Sequence, residues 1–333
     1  MVADSPDGSV YATAEYLDAF CGAAGGHFRI LGAWSGERLV GGIPLYERSS
    51  RIGTFVGPRL LLYYLGPVLR RSNSTYPSQQ TALTLEILGA LADGLSDLNY
   101  AKITLKGRHT LSDVRPFLGR GWKSHPSYTY VVSLHDLSGQ WNRVEQNLRR
   151  LVDRCTRENL TITEDDDFGS FLKLHEQTMA HHGAEPYLPE DRFGRWFRAL
   201  HQLGLCRLFQ ARLPDGKPIA AQIVLLGAHP ISHTVCAATD PAHRRLGAST
   251  FLRWRVFEWL AVQGKAGNDL TDAALNPVTH FKSQFGGELV TNFVLERRGN
   301  VLWRMSVAAE SGYRALRRKG GNLLRSTLAR VPR

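Results

Sequence analysis

One order of elements occurs twice along the chain, and this repetition limits the fold more than any single motif does. Residues 29–34 and 38–45 are strand-like and flank the turn Ser35-Gly36-Glu37, so they read as a hairpin. In the second half, residues 206–213 and 218–226 flank a turn at Pro214-Asp215-Gly216-Lys217. Each hairpin precedes a helix with one apolar stripe. The first is 80–95, with Leu83, Ile87, Leu88 and Leu91; the second is 249–263, with Phe251, Leu252, Trp254, Phe257 and Leu260. Gly264 is a natural stop for the second helix. Each helix precedes a strand, 101–105 or 269–274. Each half then closes on a glycine–aromatic signal and a β-rich run. These are Gly121-Trp122 before 128–134, and Phe285-Gly286-Gly287 before 289–295.

A repeat of hairpin, helix, strand, strand with so long a period implies a duplicated α/β (α+β) unit rather than a solenoid. Helices between neighbouring strands predict mixed, mostly antiparallel sheets with helices on their faces. The expected division is a first lobe over 1–138, a second over 139–298 and a basic helical tail over 299–333. Residues 140–159 read as one amphipathic helix joining the lobes, capped by Ser138. Its apolar side is Trp141, Val144, Leu148, Leu151, Val152 and Cys155. Its basic side is Arg143, Arg149, Arg150, Arg154 and Arg157. Two further helices are expected over 168–181 and 190–203. No heptad run is long enough for a coiled-coil arm.

A hydrophobic content of 43% permits a sizeable core, and no apolar run reaches membrane-spanning length. Residues 1–10 lack the basic flank and apolar run of a signal peptide. The four cysteines, Cys21, Cys155, Cys206 and Cys236, form no CxxC pair, so neither a zinc cage nor any other metal site is expected. Reduced thiols in a cytoplasmic protein are the simpler reading. The net charge is +11, and the excess is uneven: residues 297–333 hold ten Lys/Arg against one acid, Glu310. Such a gradient suits a polyanion, RNA or an anionic membrane surface, with a solvated basic tail as the plain alternative.

Three stretches carry a family resemblance: Asn147-Leu148-Arg149-Arg150-Leu151-Val152-Asp153-Arg154, Gly216-Lys217-Pro218-Ile219-Ala220-Ala221, and His280-Phe281-Lys282-Ser283-Gln284-Phe285-Gly286-Gly287. The last resembles the Phe-Lys-x-x-Phe-Gly signature of the FemAB peptidyltransferases. The order of elements over roughly residues 11–298 resembles the duplicated branch of the Gcn-related N-acyltransferase (GNAT) superfamily. That branch includes FemAB and the acetyltransferase-like proteins named for cellulose biosynthesis. The resemblance implies two tandem GNAT-like lobes and transfer of an acyl group from an activated donor to an amine. The donor is aminoacyl-tRNA in FemAB-like members and acyl-CoA in others. No bound cofactor is expected.

Aminolysis of an activated ester needs a neutral amine near the carbonyl, a positive group for the oxyanion and an acceptor for the amine proton. Lys282 matches the signature lysine and is the first candidate for the charge. Asp269 and Asp272 are candidates to orient the amine or accept its proton, against a turn or capping role. Phe281, Phe285, Tyr187 and His233 are candidate walls of the substrate cleft, against simple burial. Arg244-Arg245-Leu246-Gly247-Ala248-Ser249 partly matches the superfamily's pyrophosphate loop, making Arg244, Arg245, Gly247 and Ser249 the donor-phosphate candidates. Arg149, Arg150 and Arg154, with Arg297, Arg298, Arg314, Arg317, Arg318 and Lys319, are the RNA-binding candidates. The adjacent His181 and His182 are poorly placed to share a metal.

The leading expectation is an aminoacyl-tRNA-dependent transferase acting on a small amine or peptide, with tRNA and no DNA as partner. An acyl-CoA-dependent N-acyltransferase is the second expectation. A basic RNA- or membrane-binding protein without catalysis is the third.

Overall fold

The two hairpins are the outer parts of one sheet. The computed structural model describes residues 1–181, 183–297, 299, 300, 303 and 305. In the first half, β1 (His27–Ser35) pairs antiparallel with β2 (Arg38–Ser50), and β2 with β3 (Gly53–Val56). A two-residue β4 (Val68–Leu69) rests on β2. Then α2 (Pro77–Ser96) crosses over to β5 (Lys102–Lys106), which is parallel to β3. In the second half, β7 (Thr161–Asp165), β8 (Cys206–Arg212), β9 (Pro218–Leu225) and β10 (Ile231–Thr239) form an antiparallel run. There α8 (Ala248–Val262) crosses to β11 (Gly267–Asp269), which is parallel to β10. Both repeats therefore place a third strand between hairpin and helix, which the sequence-based order lacked. The second post-helix strand is Gly267–Asp269 rather than the expected 269–274, because the chain turns away after Asp269.

The closing strands of the repeats are exchanged. β6 (Lys123–Ser133) ends the first repeat but pairs with β11 of the second, whereas β12 (Glu288–Arg297) ends the second repeat and lies between β5 and β6. The sheet order is β1-β2-β3-β5-β12-β6-β11-β10-β9-β8-β7, so hydrogen bonding is continuous across residue 138.

On one face, α1 (Ala14–Ala24) shares an apolar cluster with α6 (Phe168–His181) and α7 (Glu190–Gln202), whereas α2 packs over Gly41 on the opposite face of β2 from Tyr46 and Phe20. Thr13 starts α1 by accepting from the Tyr16 amide, and Gly25, at φ 77°, ends it. Phe20 and Tyr16 from the first half and Trp196 and Phe193 from the second are buried together there. On the other face, α4 (Leu137–Arg143), α5 (Gln146–Arg157) and α8 enclose Phe257, Phe251, Leu148 and Val152.

The linking helix over 140–159 is in fact two helices, α4 and α5, broken at Val144–Glu145. Asp136, not Ser138, caps the first, its Oδ1 accepting from the Gly139 amide at 2.9 Å. The short α9 (Pro277–Ser283) is capped by Asn276, whose Oδ1 accepts from the Thr279 amide at 3.0 Å, and Pro277 fills its first turn.

Candidate active site

β10 and β11 pair over only three residues each, Ile231–His233 with Gly267–Asp269, and then part. Where β11 ends, Thr271 and Asp272 adopt left-handed backbone at φ 44° and 61°. Two consecutive non-glycine residues in that region are strained and need local support. Support comes from Asp269 Oδ1, which accepts from the Thr271 amide at 2.8 Å, and from the Thr271 hydroxyl, which donates to the Thr234 carbonyl at 2.6 Å. The turn directs both its carbonyls at Lys282 on α9. The Lys282 ammonium donates to the Thr271 carbonyl and, at 2.7 Å, to the Asp272 carbonyl.

Asp269 stands behind this turn rather than in the cleft. It is 0% exposed; the Tyr64 hydroxyl donates to Oδ2 at 2.6 Å and the Thr129 hydroxyl to Oδ1 at 2.6 Å. Burial pushes its carboxyl up. The adjacent His233 ring and the Thr129 and Tyr64 hydroxyls outweigh that and hold it below the usual carboxylate range. Reaching a substrate amine, as the sequence suggested for Asp269, is excluded by this enclosure. His233, expected to line the cleft, is also interior. Its ring packs against Tyr11 and Tyr64 at 4.9 and 5.7 Å, and Nδ1 lies 3.5 Å from Asp269 Oδ2. Burial lowers its pKa, against the opposing pull of the Asp269 carboxylate. Tyr64 and Thr129 were not singled out in the sequence, because their roles exist only through contacts 205 and 140 residues away.

The wall beside Lys282 is aromatic and cationic. Phe285 is fully buried and meets the half-buried Phe281 edge-to-face at 5.1 Å. The Arg253 guanidinium of α8 sits 5.8 Å from the Phe281 ring and 5.6 Å from the Phe285 ring. Burial, with the Arg253 charge adding to it, lowers the Lys282 ammonium to about 8. Asp272 is exposed. Tyr187 is half-buried, its ring 4.9 Å from His175. Burial raises the hydroxyls of Tyr187 and Tyr63, and the Asp272 carboxylate contributes to both shifts. The structure therefore brings Lys282, Phe281, Asp272 and Tyr187 to one region, with Asp269 and His233 as its interior support. Two surface hollows, of about 560 Å³ beside Arg115 and Arg120 and about 600 Å³ beside Trp141 and Trp254, contain none of these groups. Chemistry rather than hollow size places the site.

Residues 140–283 match the family model described as Acetyltransferase (GNAT) domain. In structure, the chain is similar to FemX, at 14% identity, covering 88% of this chain and 93% of that one, with a TM-score of 0.71. The fold is FemAB-like tandem GNAT. It is also similar to L-PGS from Bacillus licheniformis, at 13% identity, over 89% of this chain and 95% of that one, with a TM-score of 0.52. No curated protein matches it in sequence.

Within the GNAT-matching segment, the candidate phosphate loop is partly covered. It forms a 3-10 turn, Pro241–Leu246, followed by Gly247 at φ 89° and the start of α8. Arg244 and Arg245 are exposed, and Arg244 Nη1 lies 2.6 Å from His181 Nε2. Gly247 and Ala248 are buried, and the Ser249 hydroxyl is bonded to that of Thr239. Leu151 of α5 covers Gly247 so closely that an added Cβ would lie 2.7 Å from the leucine Cβ. Gly247→Ala is therefore expected to destabilise the protein by about 2 kcal/mol, from the positive φ and the overlap together. Adding Leu151→Ala should restore little of it, since alanine keeps the Cβ at 2.7 Å and removes only the Cδ2 and Cγ at 2.9 and 3.0 Å. Thermal unfolding of the single and double variants checks this; a neutral Gly247→Ala would refute the close cover.

The basic candidates separate into three groups. Arg150 is exposed; Arg154 donates to Glu158 at 2.8 Å and to the Arg245 carbonyl at 3.4 Å, which docks α5 against the loop. Arg149 is half-buried. Arg297 is engaged in structure: it donates to the Leu95 carbonyl at 2.6 Å and the Leu98 carbonyl at 3.0 Å, at the end of α2. That engagement gives Arg297 a structural role at the end of α2. Arg298, Arg314, Arg317, Arg318 and Lys319 lie outside the described residues. Among the described residues, no helix is long and apolar enough to cross a membrane.

Proposed function

We propose that the chain forms an amide bond, passing an aminoacyl group from aminoacyl-tRNA to the amine of a small molecule or short peptide. The observation that carries this reading is the Lys282 ammonium, fixed by the Thr271 and Asp272 carbonyls beside an aromatic wall. A cation held in place, in surroundings that exclude water, stabilises an oxyanion without reorganising. The neutral amine attacks the ester carbonyl, a C–N bond forms, and the charge developing on the carbonyl oxygen faces Lys282. The C–O bond to the ribose then breaks, and the amine proton ends on the departing hydroxyl. Asp269 touches no reacting atom in this scheme; it is a positioning residue that holds the Thr271 turn.

Two features favour tRNA over CoA as donor. Leu151 covers Gly247, where a CoA pyrophosphate would need open backbone amides. Arg150, Arg244 and Arg245 are exposed beside the same loop. The loop's left-handed glycine leading into α8 is the one observation that favours acyl-CoA. The amine acceptor rests on the resemblance, and its small size on the lack of a coiled-coil arm.

The test measures binding of purified protein to charged tRNA, deacylated tRNA and acetyl-CoA across a salt series. Charged tRNA should bind with a steep salt dependence. Replacing Arg150 and Arg245 by alanine should reduce the log–log slope by about 2. Binding of acetyl-CoA with none of tRNA would reverse the choice of donor.

A further inference from the structure

The N-terminal segment crosses from the first half of the chain to the second and ends inside the support of the site. Ser5 donates from its hydroxyl to the Leu69 carbonyl at 2.7 Å, and the buried Asp7 carboxylate meets Arg71 at 3.4 Å. The Arg108 guanidinium, just past β5, donates from Nη1 to the Pro6 and Gly8 carbonyls at 2.8 and 2.7 Å. The Thr110 hydroxyl donates to the Pro6 carbonyl at 3.0 Å. These anchors all belong to the first half. The next contacts are with the loop that leads into β10. A Cβ added to Gly227 would lie 3.5 Å from the Val10 Cβ, and Arg108 Nη1 is 3.2 Å from His229 Nε2. A 3-10 turn over Val10–Ala12 then buries Tyr11 completely. The Tyr11 ring packs on both groups that flank Asp269 Oδ2. Its centroid is 4.9 Å from that of His233 and 5.9 Å from that of Tyr64, and those two are 5.7 Å apart. The Tyr11 hydroxyl is enclosed without a hydrogen-bond partner among the described residues, so the shape of the ring is what this residue contributes.

We propose that the N-terminal segment is a clasp and that Tyr11, at its inner end, is a positioning residue for the transfer. Its ring fixes His233 and Tyr64 against Asp269, and Asp269 passes that placement to the Thr271 turn and so to Lys282. Each step is a direct contact: Tyr64 and His233 lie 2.6 and 3.5 Å from Asp269 Oδ2, Asp269 Oδ1 accepts from the Thr271 amide at 2.8 Å, and the Thr271 carbonyl accepts from Lys282. A buried ring in a close-packed interior has no room to shift, so the anchors at Pro6 and Gly8 reach the site as position. Without the ring, His233 and Tyr64 relax into the cavity left behind. A displacement of about 1 Å at the reacting groups is enough to cost about a hundredfold in rate. Tyr11 touches no reacting atom, and its assignment rests on the reading of Lys282 given above. It adds a stretch of sequence that carries no motif to a site otherwise built from β11 and α9.

The experiment follows amide hydrogen exchange over residues 268–276 of the full chain by mass spectrometry, beside Tm, single-turnover rate and donor affinity. Tyr11→Leu should speed exchange there about tenfold at temperatures where the variant is folded. It should slow transfer about tenfold or more, with donor affinity held within a few-fold. Tyr11→Phe keeps the ring and drops a hydroxyl that has no partner, so it should return both readings to within about twofold of wild type at a level or higher Tm. A residue with a merely structural role would lower Tm in Tyr11→Leu and leave exchange over 268–276 alone. Should Tyr11→Leu fail to fold, Val10→Ala gives the second reading, because it thins the contact on Gly227 and leaves the ring in place; exchange over 268–276 should then rise about threefold. Unchanged exchange in a folded Tyr11→Leu, or in Val10→Ala where Tyr11→Leu does not fold, would overturn the clasp. A Tyr11→Phe that behaves like Tyr11→Leu would overturn the role of the ring. Faster exchange in Tyr11→Leu, reversed in Tyr11→Phe, without any aminoacyl transfer by wild type would support the clasp and remove the proposed reaction. Transfer by wild type with exchange and rate unaltered in Tyr11→Leu would do the reverse.

Discussion

Lys282→Ala is expected to lower turnover by about two to three orders of magnitude while changing donor affinity by less than about tenfold, the pattern of a contact made mainly in the transition state. The asymmetry follows from where the ammonium sits. Thr271 and Asp272 hold it before substrate arrives, so little ordering remains when the oxyanion forms. The charged form does this work. With its pKa lowered to about 8, Lys282 is mostly protonated at pH 7 and loses its charge as pH rises through 8. Turnover should therefore carry a falling alkaline limb near pH 8. Removing the Arg253 charge should shift the limb upward, since that charge adds to burial in lowering the pKa. The stability effect runs the other way. Between about 8 and the unperturbed 10.5 the unfolded chain binds the extra proton, so Lys282 makes folding more favourable as pH rises through that window. Single-turnover kinetics across pH separate the two. A Lys282→Ala variant whose loss lies in donor affinity would take Lys282 out of the chemical step.

The site's first residue was legible because its signal is local. Lys282 sits in a run of eight residues, and Phe281 and Phe285 flank it at helical spacing. The helices 168–181 and 190–203 were legible for the same reason, as periodic stripes that burial on one face requires. The partners that give Asp269 its place were not legible. Tyr64 and Thr129 come from the other half of the chain, and no pattern near residue 269 encodes them. The break between α4 and α5 is similar. Residues 143–146 contain neither glycine nor proline, yet the helix stops. Gly286 approaches Arg143 so closely that a Cβ would lie 2.6 Å from the arginine Cβ, and the Glu145 amide donates to the Gln284 carbonyl at 3.0 Å. A distant turn, not the local sequence, ends that helix. Charge alone did not show the part Arg297 plays in the fold, because composition counts a guanidinium without showing that carbonyls at the end of α2 accept from it. The exchange of β6 and β12 was hidden too, since each strand's pattern is the same whichever repeat it joins.

Asp269→Ala is expected to cost about 3–5 kcal/mol, the range for removing one member of a buried charged network, and to lower Tm by about 5–10 °C. The loss has three parts: unpaired hydroxyls on Tyr64 and Thr129, an unpaired Thr271 amide, and a cavity where the carboxylate stood. Asp269→Asn should cost less, about 2 kcal/mol, because the amide oxygen can still accept from Thr129 and Thr271 while its NH₂ replaces the oxygen to which the Tyr64 hydroxyl donates. The sign with pH is fixed by the depressed folded pKa. The carboxylate contributes fully above the unfolded value near 3.9, and that contribution is lost as pH falls through the lower folded value. Wild type should therefore lose stability in acid more steeply than Asp269→Asn, and the two curves should converge there. The same variant tests the positioning role. Without the ionised Asp269 acceptor, one of the two restraints on the Thr271–Asp272 turn weakens, and the carbonyls that aim Lys282 relax. Turnover should then fall at temperatures where the variant is still folded, with donor affinity held within a few-fold. Equal acid limbs in the two proteins would show that Asp269 is not ionised in the fold, and unaltered turnover in a folded Asp269→Asn would separate the buried network from the placement of Lys282.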